Sequence, residues 1–483
     1  MDGPVLAPAL AQPETGQNDT QWRDAMRKTF TNEPFTDFSV AENAAAFRAA
    51  LERVRGRLGE TYPLVIGGEK IMTDDTFDST NPACPSEVIG RVSKATPELA
   101  DRAVRAAAEA FKTWSRVPYA ERARYLFHAA RLIRQRKHEF NALLTLEAGK
   151  TWIEADVETA EVIDFLEYYG REMLRLGPPH PTTPDPNHET EMHYIPLGVG
   201  VVIPPWNFPL AIMAGMSAAA FVTGNTVVLK PASATPVMAA WIVDLFNEEL
   251  HLPPGVFNFV PGSGSAVGDV LVDHPLTRFI AFTGSKEIGI RVFQRAAAVQ
   301  PGQKWLKRTV LEMGGKDAIL VDETADLDEA AAGIVSAAFG YSGQKCSACS
   351  RAVVVESVYD ALLEKVIART QKLDVRDPQF GPGVEMGPVI DDRALAKHLE
   401  YIEIGKEEGR LVVGGQALPN ESGGYFLQPT VFADIAPDAR LAQEEIFGPV
   451  LSVIKARDFE DGLAIANNTE YGLAASVWSE SVN

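Results

Sequence analysis

Two of the three cysteines, Cys346 and Cys349, lie in a short polar segment that follows a glycine-containing turn. We predict that Cys346 stands near the start of a helix, where free backbone N–H groups and the helix dipole lower the pKa of a thiol and favour the nucleophilic thiolate. Other interpretations stay open at this point. A cysteine is often a small buried apolar residue, the Cys-x-x-Cys spacing suits a redox pair, and a zinc site would need further ligands when only Cys84 remains among the cysteines.

Two further segments carry polar side chains at predicted strand ends. Glu312 ends a predicted strand and precedes a Gly-Gly turn, which places it at a sheet edge where clefts form and where it could act as a general base. Asn207 lies between Trp206 and Phe208 at a predicted strand-to-helix turn, where its amide could donate to a developing oxyanion. The alternatives are a solvated loop carboxylate for Glu312 and a helix N-cap for Asn207.

Turns that carry glycine or lysine suit the binding of phosphate groups. Gly264 and Gly268 belong to a glycine-rich run that resembles a dinucleotide-binding fingerprint, although its last spacing is one residue too long. Gly284 and Ser285 end a predicted strand and open a helix, whose free N–H groups could hold a pyrophosphate. Lys230 supplies a cation at the end of another predicted strand.

The last motif is acidic and aromatic. Glu445 precedes Phe447 and a Gly-Pro turn, an arrangement that could bind ribose hydroxyls and pack on a flat ring, or form an ordinary surface turn. We predict no metal site, since the eight histidines form no ligand cluster and the run His188–His193 has one residue too many for an H-E-x-x-H motif.

Composition narrows the class of partner. The 483 residues include 45 basic and 65 acidic side chains, and the formal net charge of −20 disfavours binding to nucleic acid or to anionic membrane surfaces. No apolar run reaches the roughly eighteen residues of a membrane span, and no basic segment precedes an apolar one as in a secretory signal. Three cysteines fit a reducing compartment, so we expect a cytoplasmic protein with a small-molecule substrate.

The elements that must position these side chains alternate between strands and helices. The alternation runs from about residue 200 to 300 and resumes after Thr309, which predicts two α/β domains with parallel sheets covered on both faces. Residues 1–40 form a predicted N-terminal extension that is flexible in its first part. The proline-rich segment 176–194 predicts a hairpin arm that leaves the main body.

Taken in order, these motifs resemble the aldehyde dehydrogenase superfamily from about residue 30 to residue 483. Four segments point to the branch that acts on L-glutamate γ-semialdehyde, the open form of 1-pyrroline-5-carboxylate. They are Glu33–Phe38, Tyr62–Glu69, Gly343–Arg351 and Met386–Asp391. The resemblance implies an α/β fold with a Rossmann-like NAD-binding domain (41–175 and 195–308), an α/β catalytic domain with the nucleophilic cysteine (309–470) and a small oligomerisation arm (176–194 and 471–483).

The resemblance also implies a reaction, the NAD-dependent oxidation of this semialdehyde to L-glutamate in the second step of proline breakdown. Cys346 would form a thiohemiacetal and then a thioester, Asn207 and the Cys346 backbone amide would stabilise the oxyanion, and Glu312 would activate the hydrolytic water. The residues that would contact the cofactor are Lys230, Ser233, Gly264, Gly284, Ser285, Glu445 and Phe447.

Three further residues are implied to contact the substrate. Glu161 would face its amino group, Phe208 would pack on its aliphatic chain, and Ser347 would touch its carboxylate. The respective alternatives are a solvated helix carboxylate, a core aromatic ring and a hydroxyl at a helix N-terminus. Two other functions also stay open, namely oxidation of a different semialdehyde and NAD binding without turnover.

Two features depart from the family pattern. Ser233 stands where many NAD-preferring relatives have glutamate, so we expect NADP to be tolerated beside NAD. The chain ends at Asn483, whereas relatives continue for some tens of residues that contain a substrate-anchoring loop and a tail that seals the oligomer. We therefore expect a homo-oligomer, a dimer or larger, for a chain with that C-terminal stretch.

Overall fold

The computed structural model describes residues 29–481. Its strands are β1 (Glu60–Tyr62), β2 (Leu64–Ile66), β3 (Glu69–Ile71), β4 (Thr76–Asn81), β5 (Cys84–Ser93), β6 (Val199–Ile203), β7 (Thr226–Leu229), β8 (Phe257–Phe259), β9 (Thr277–Thr283), β10 (Arg308–Glu312), β11 (Ala318–Val321), β12 (Arg351–Val355), β13 (Arg410–Val413), β14 (Thr430–Ala433), β15 (Val450–Ala456) and β16 (Ala475–Trp478). Its α-helices are α1 (Ala41–Arg55), α2 (Pro97–Trp114), α3 (Tyr119–Gln135), α4 (Lys137–Ala148), α5 (Trp152–Leu176), α6 (Ala211–Val222), α7 (Pro236–Asp244), α8 (Asp269–Asp273), α9 (Lys286–Ala297), α10 (Leu327–Phe339), α11 (Tyr359–Thr370), α12 (Asp392–Glu408), α13 (Arg440–Gln443) and α14 (Phe459–Asn467).

The first large sheet has seven strands in the order β10-β9-β6-β7-β8-β2-β3. The strands from β10 to β8 run parallel. Their apolar side chains alternate between two cores, with Val201 and Val228 on one face and Val202 and Leu229 on the other. The strand order reverses between β6 and β9, and parallel sheets bind ligands outside the carboxyl ends of their strands at such a switch point.

The second large sheet has six strands in the order β13-β14-β15-β12-β11-β16. All neighbours except the antiparallel pair β13 and β14 run parallel. Ile319 and Val321 face a core shared with α10 and α11, while Leu320 faces a core shared with α12 and α14. Helices therefore cover both faces, as predicted for a second α/β domain.

Two domain boundaries differ from the prediction. Strand β10 pairs with β9 throughout Arg308–Glu312, so the first sheet continues past the predicted boundary at residue 308 and ends at Glu312. The segment 471–483, assigned to the oligomerisation arm, instead places β16 parallel to β11 at the edge of the second sheet. The reason is local packing: the Trp478 indole lies over Gly333 of α10, where an added Cβ would come within 2.7 Å of the ring.

The arm predicted for 176–194 is a hairpin with bridges between His180 and Met192 and between Asp185 and His188. A small sheet of β1, β5 and β4 lies apart from the two large ones. Within residues 29–481, no helix has both the length and the apolar character needed to cross a membrane.

The first described residues are held to helix α5 by hydrogen bonds. The Glu33 N–H donates to Asp164 and the Thr36 N–H donates to Asp156, both acceptors being on α5. The rest of the predicted extension, residues 1–28, lies outside the described residues.

Candidate active site

The candidate site lies where opposite ends of the two large sheets face each other. Asn207 and Ser285 follow the carboxyl ends of β6 and β9, and Glu312 is the last residue of β10. Cys346 and Glu445 precede the amino ends of β12 and β15. The cleft therefore has one wall from each sheet, and side chains distant in sequence converge on it.

A left-handed turn carries the chain from α10 to Cys346. Tyr341, Ser342 and Gly343 have φ angles of 49°, 56° and 66° in succession. A Cβ on Gly343 would lie 2.4 Å from the Gly448 carbonyl oxygen, so only glycine fits there. Two consecutive non-glycine residues in this region are strained, and such strain persists only where surrounding contacts hold it.

Hydrogen bonds from distant segments hold this turn. The Tyr341 hydroxyl donates to the carbonyl of Ala148 at 3.0 Å, and the Ser342 hydroxyl donates to that of Gly387 at 2.8 Å. The buried Gln344 side chain accepts from the backbone N–H of Ile390 at 2.8 Å. The loop is thus fixed by tertiary contacts rather than by a helix.

Cys346 lies in a tight turn after this loop, so the prediction that it stands at a helix start is wrong. Burial raises the pKa of its thiol, and the charge of Asp317 raises it further. The backbone N–H groups of Ser347 and Cys346 act in the opposite direction but do not reverse the shift. The predicted lowering of the pKa is therefore wrong as well, because no helix dipole is present to oppose desolvation.

Asn207 is buried and joins the two walls of the cleft. Its side-chain amide donates to the carbonyl of Gln344 at 2.9 Å, two residues before Cys346. Trp206 adds a second link, since its ring meets that of Phe447 edge to face at 5.5 Å. Asn207 precedes α6 without forming a side-chain cap, so the alternative of a helix N-cap does not hold.

Glu312 ends β10 as predicted, and its side chain is exposed. Its carbonyl accepts from the N–H of Gly284 at 3.1 Å, which ties it to the turn after β9. The Cys346 carbonyl comes close to Gly315, where an added Cβ would lie at 2.4 Å. Among residues 29–481 no hydrogen bond joins the Glu312 carboxylate to Cys346.

Lys230 and the glycine run lie side by side near the ends of β7 and β8, where a Cβ on Gly268 would come within 3.8 Å of the Lys230 side chain. The Lys230 ammonium is buried, donates to the carbonyls of Pro231 and Gly262, and has its pKa lowered to about 8 by desolvation. Gly264–Gly268 form one π-helical turn, which accommodates the extra residue in the glycine spacing. A Cβ on Gly264 would meet nothing within 4 Å, so this turn borders open space.

The turn after β9 has the predicted form. Ser285 caps α9, its hydroxyl accepting from the N–H of Ile288 at 3.4 Å. Gly284 precedes it, and a Cβ there would lie 2.6 Å from the Phe282 ring. Ser233 is exposed in the loop after β7.

Glu445 is not in an ordinary surface turn. Its carboxylate accepts from the N–H of Gly315 at 3.0 Å, and burial raises its pKa. Phe447 follows with a φ of 62°, which directs its ring onto Trp206. The loop before β15 thus closes one end of the cleft.

The residues predicted to contact the substrate lie at the other end. Glu161 is half-buried on α5, and its pKa is raised by burial and by the charge of Glu158. The half-buried Phe208 ring lies 6.4 Å from that of Tyr341, centroid to centroid. Ser347 is exposed beside Cys346 and lies in the same tight turn, so it is not at a helix N-terminus.

Comparison with known proteins agrees with this geometry. The aldehyde dehydrogenase family model matches residues 71–483. The chain belongs to the aldehyde dehydrogenase family.

Two sequence relatives and one solved structure illustrate the similarity. The chain is 59% identical to a 1-pyrroline-5-carboxylate dehydrogenase of Geobacillus thermodenitrificans, over 94% of this chain and 88% of that one. It is 58% identical to the enzyme of that name from Bacillus cereus, over 94% and 87%. The structure of 1-pyrroline-5-carboxylate dehydrogenase from Thermus with bound NAD superposes with a TM-score of 0.92 at 49% identity, over 94% and 87%. The predicted aldehyde dehydrogenase fold is confirmed.

The site of this aldehyde dehydrogenase fits a dinucleotide. A buried ammonium with only carbonyl partners, a glycine turn bordering open space and a carboxylate near the nucleophile provide the donors and acceptors that phosphates and ribose hydroxyls require. Among residues 29–481 no group of three or more His, Cys, Asp or Glu side chains could hold a metal ion.

Sequence reasoning missed several residues that shape the site. Lys150 and Glu158 form a completely buried ion pair at 2.8 Å beneath Phe208, and Gln344 supplies the carbonyl that Asn207 binds. Lys150 stands in a Gly-Lys-Thr connection between two predicted helices, a short polar break in an apolar region. This polar break is the sequence signal that could have identified Lys150 as a site residue. Gln344 gives no such signal, since its partners lie far away in the sequence.

Proposed function

We propose that this chain oxidises L-glutamate γ-semialdehyde, the open form of 1-pyrroline-5-carboxylate, to L-glutamate with NAD as the hydride acceptor. The reaction is the second step of proline catabolism. The observation that supports this proposal is the hydrogen bond from the buried Asn207 amide to the carbonyl of Gln344, two residues before Cys346. It occurs in a chain 59% identical to proteins named for this substrate.

The first half-reaction acylates Cys346. The Cys346 thiol loses its proton to water, the resulting thiolate adds to the aldehyde carbon, and the carbonyl oxygen takes the negative charge. One N–H of the Asn207 amide binds Gln344, which leaves the second N–H of the same group for the oxyanion, together with the Cys346 backbone N–H. NAD, when bound, supplies the acceptor for the hydride that leaves this carbon as the thioester forms.

The second half-reaction releases the product. Glu312 takes a proton from a water molecule, and the resulting hydroxide attacks the thioester carbon and expels the Cys346 thiolate. The exposure of the Glu312 side chain at the end of β10 suits this role, because the carboxylate has access to water.

When bound, the cofactor would be held by residues from both walls of the cleft. Lys230 and Ser233, at the end of β7, would hold the adenosine ribose, and the N-terminus of α9 at Ser285 would hold the pyrophosphate. Gly264 and Gly284 would let the backbone approach these groups. Glu445 would bind the nicotinamide ribose with Phe447 packed nearby.

The substrate would occupy the end of the cleft near α5. Glu161 would bind its ammonium group, Phe208 would pack on its methylene chain, and Ser347 would donate to its carboxylate. The position of Glu161 near Glu158 and Asp164 supports this assignment, since neighbouring carboxylates favour a cationic ligand.

We further propose that the enzyme is a cytoplasmic homo-oligomer. Tyr194 and Ile195, at the base of the arm, are 62% and 79% exposed, which is unfavourable for apolar side chains unless another copy covers them. A second exposed apolar group lies on α9 and around β10. It comprises Ile288, Ile290, Phe293, Val299, Trp305, Leu306 and Val310. The three cysteines are free, which fits a reducing compartment.

The deciding experiment mixes the protein with NAD and either glutamate γ-semialdehyde or succinate semialdehyde and follows NADH absorbance. We expect faster NADH formation with the former, because only it carries the amino group that Glu161 would bind. Cys346→Ala is the matched control, and it should abolish turnover while NAD still quenches protein fluorescence. Equal rates with both substrates would contradict the substrate assignment. Turnover in Cys346→Ala would contradict the assignment of Cys346 as the nucleophile.

A further inference from the structure

A buried ion pair lies beneath both loops of the active site. Lys150 Nζ and a Glu158 carboxylate oxygen are 2.8 Å apart, and neither side chain is exposed to solvent. Such a pair loses much of its attraction to desolvation, so it contributes little to stability over an apolar pair of similar size. Its contacts with the loops therefore call for a separate explanation.

Glu158 holds the loop that carries Asn207. Its other carboxylate oxygen accepts from the backbone N–H groups of Leu210 and Ala211, at 2.8 and 3.1 Å, at the start of α6. A carboxylate at a helix N-terminus satisfies donors that have no partner within the helix. The position of α6, and with it the direction of the preceding loop, is thereby set from α5.

Lys150 holds the aromatic rings of both loops. Its ammonium lies 3.8 Å from the centroid of the Phe208 ring and 4.2 Å from that of the Tyr341 ring. Phe208 follows Asn207, and Tyr341 begins the left-handed turn that leads to Cys346. One cation thus contacts a ring from each wall of the cleft.

The backbone around Lys150 is fixed as well. Gly149 ends α4 with a φ of 69°, and Thr151 caps α5 by accepting from the Glu154 N–H. A Cβ on Gly149 would lie 2.8 Å from Pro388, in the segment that binds the Cys346 loop. The ammonium therefore stands on a rigid connection between two buried helices.

We propose that Lys150 and Glu158 are positioning residues that set the Asn207–Phe208 loop against the Cys346 loop. The pair acts through these loops and touches no reacting atom. Because the inference rests on the proposed function, the test includes a structural readout that does not depend on the substrate.

The test uses Lys150→Met, Glu158→Gln and the double variant. Lys150→Met alone leaves a buried carboxylate without its cation and is expected to lower Tm. The double variant removes both charges and keeps an amide oxygen for Leu210 and Ala211, so its Tm should recover. Its kcat/KM for the semialdehyde should remain about ten- to hundred-fold below that of the unchanged protein, since small displacements of positioned groups reduce rate by such factors.

Lys137→Met is the matched control. Lys137 pairs with Asp156 at 2.9 Å, also between α4 and α5 and largely buried, and Asp156 keeps the donors Thr36 and Asn141 when the cation is lost. This variant should lower Tm while kcat/KM and the Kd for NAD stay unchanged. The Kd for NAD should also stay unchanged in the double variant.

Three outcomes decide the inference. Unchanged kcat/KM in the double variant would overturn the positioning role. An equal loss of kcat/KM in Lys137→Met would also overturn it, since either result would mean that the pair only stabilises the fold. A crystal structure of the double variant should show the Phe208 ring displaced and the contact from Asn207 to Gln344 lengthened, whereas unmoved loops would overturn it. If the unchanged protein fails to oxidise the semialdehyde, the proposed function is wrong, and the crystal structure alone then decides the positioning role.

Discussion

The two walls of the cleft are built on different principles. The turns of the seven-stranded sheet that would hold the cofactor are ordinary strand-to-helix turns, such as the one in which Ser285 caps α9. The wall from the six-stranded sheet contains a left-handed turn at Tyr341–Gly343, held by hydrogen bonds to α4 and to the segment 387–390. The wall from the seven-stranded sheet, called the cofactor wall because most of the residues proposed to hold the cofactor lie on it, thus has locally fixed turns. The wall from the six-stranded sheet, called the nucleophile wall after the role proposed for Cys346, is fixed by contacts with distant segments.

This difference predicts how each wall tolerates change. A local turn loses one cap or one contact when a residue is replaced, whereas a strained loop can lose its conformation when one of its supports is removed. The strain is located where the chemistry requires a thiol to face an amide donor from the other sheet. Four substitutions test this contrast.

The largest effect is expected for Gly343→Ala. A Cβ would lie 2.4 Å from the Gly448 carbonyl at a φ of 66°, so we expect a loss of stability of at least about 2 kcal/mol and a collapse of turnover. Thermal unfolding and NADH formation measure the two effects. Gly264→Ala on the cofactor wall is the stability control, since a Cβ there meets nothing within 4 Å and Tm should not change. Similar losses of Tm in both variants would remove the contrast between the walls.

Glu312→Gln should separate the two half-reactions. The amide cannot accept a proton from water, so thioester hydrolysis should slow by about 10²- to 10⁴-fold while acylation continues. Stopped-flow absorbance should then show a burst of NADH followed by slow steady turnover. Slow NADH formation without a burst would place Glu312 in acylation instead of deacylation.

Ser233→Glu should change cofactor preference without disturbing the nucleophile wall. A carboxylate at this exposed position would repel a 2′-phosphate, and we expect the Kd for NADP to rise about ten-fold with little change for NAD. Fluorescence quenching titrations with both cofactors measure this, and Ser233→Gln is the uncharged control. A parallel rise for NAD would show that Ser233 contacts a part shared by the two cofactors.

The smallest effect is expected for Asp317→Asn. Burial raises the pKa of Asp317 itself to about 6, and its charge contributes to the raised pKa of Cys346. Removing that charge stabilises the thiolate, so the pKa of Cys346 should fall. Alkylation of Cys346 at a pH below its pKa should then become faster. The pH dependence of iodoacetamide labelling, read at Cys346 by peptide mass spectrometry, provides the measurement. An unchanged pH profile would show that the Asp317 charge does not contribute to the raised pKa of Cys346.

Much of the fold could be predicted because its signals are local. Strand β11 and helix α10, which belong to the alternation predicted after Thr309, are each an apolar run with clear end signals. The turn at Gly284 and Ser285 was predictable for the same reason. The site residues on the cofactor wall can be predicted from the same local signals for the ends of strands and the starts of helices.

The nucleophile wall could not be predicted in the same way. The sequence around Gly343 suggests a helix start after a turn, but the observed left-handed conformation depends on Ala148, Gly387 and Ile390, none of which is near in sequence. The ion pair of Lys150 and Glu158 was missed because the partners face each other only after α4 and α5 pack. The position of β16 likewise could not be predicted, because β16 pairs with β11, a strand that is distant in sequence.

The end of β10 has a consequence for the order of events in the catalytic cycle. Glu312 belongs to the same sheet as the cofactor turns and is held to one of them by the Gly284 N–H, whereas Cys346 precedes a strand of the other sheet. The chain crosses between the sheets in the few residues from Met313 to Asp317. We expect any change in the angle between the sheets to move Glu312 together with the Ser285 turn, which would hold the pyrophosphate, relative to Cys346 and to Glu445, which would hold the nicotinamide ribose. Exchange of the reduced nucleotide and hydrolysis of the acyl group would then both depend on the same relative motion of the two sheets, which would set their order in the cycle.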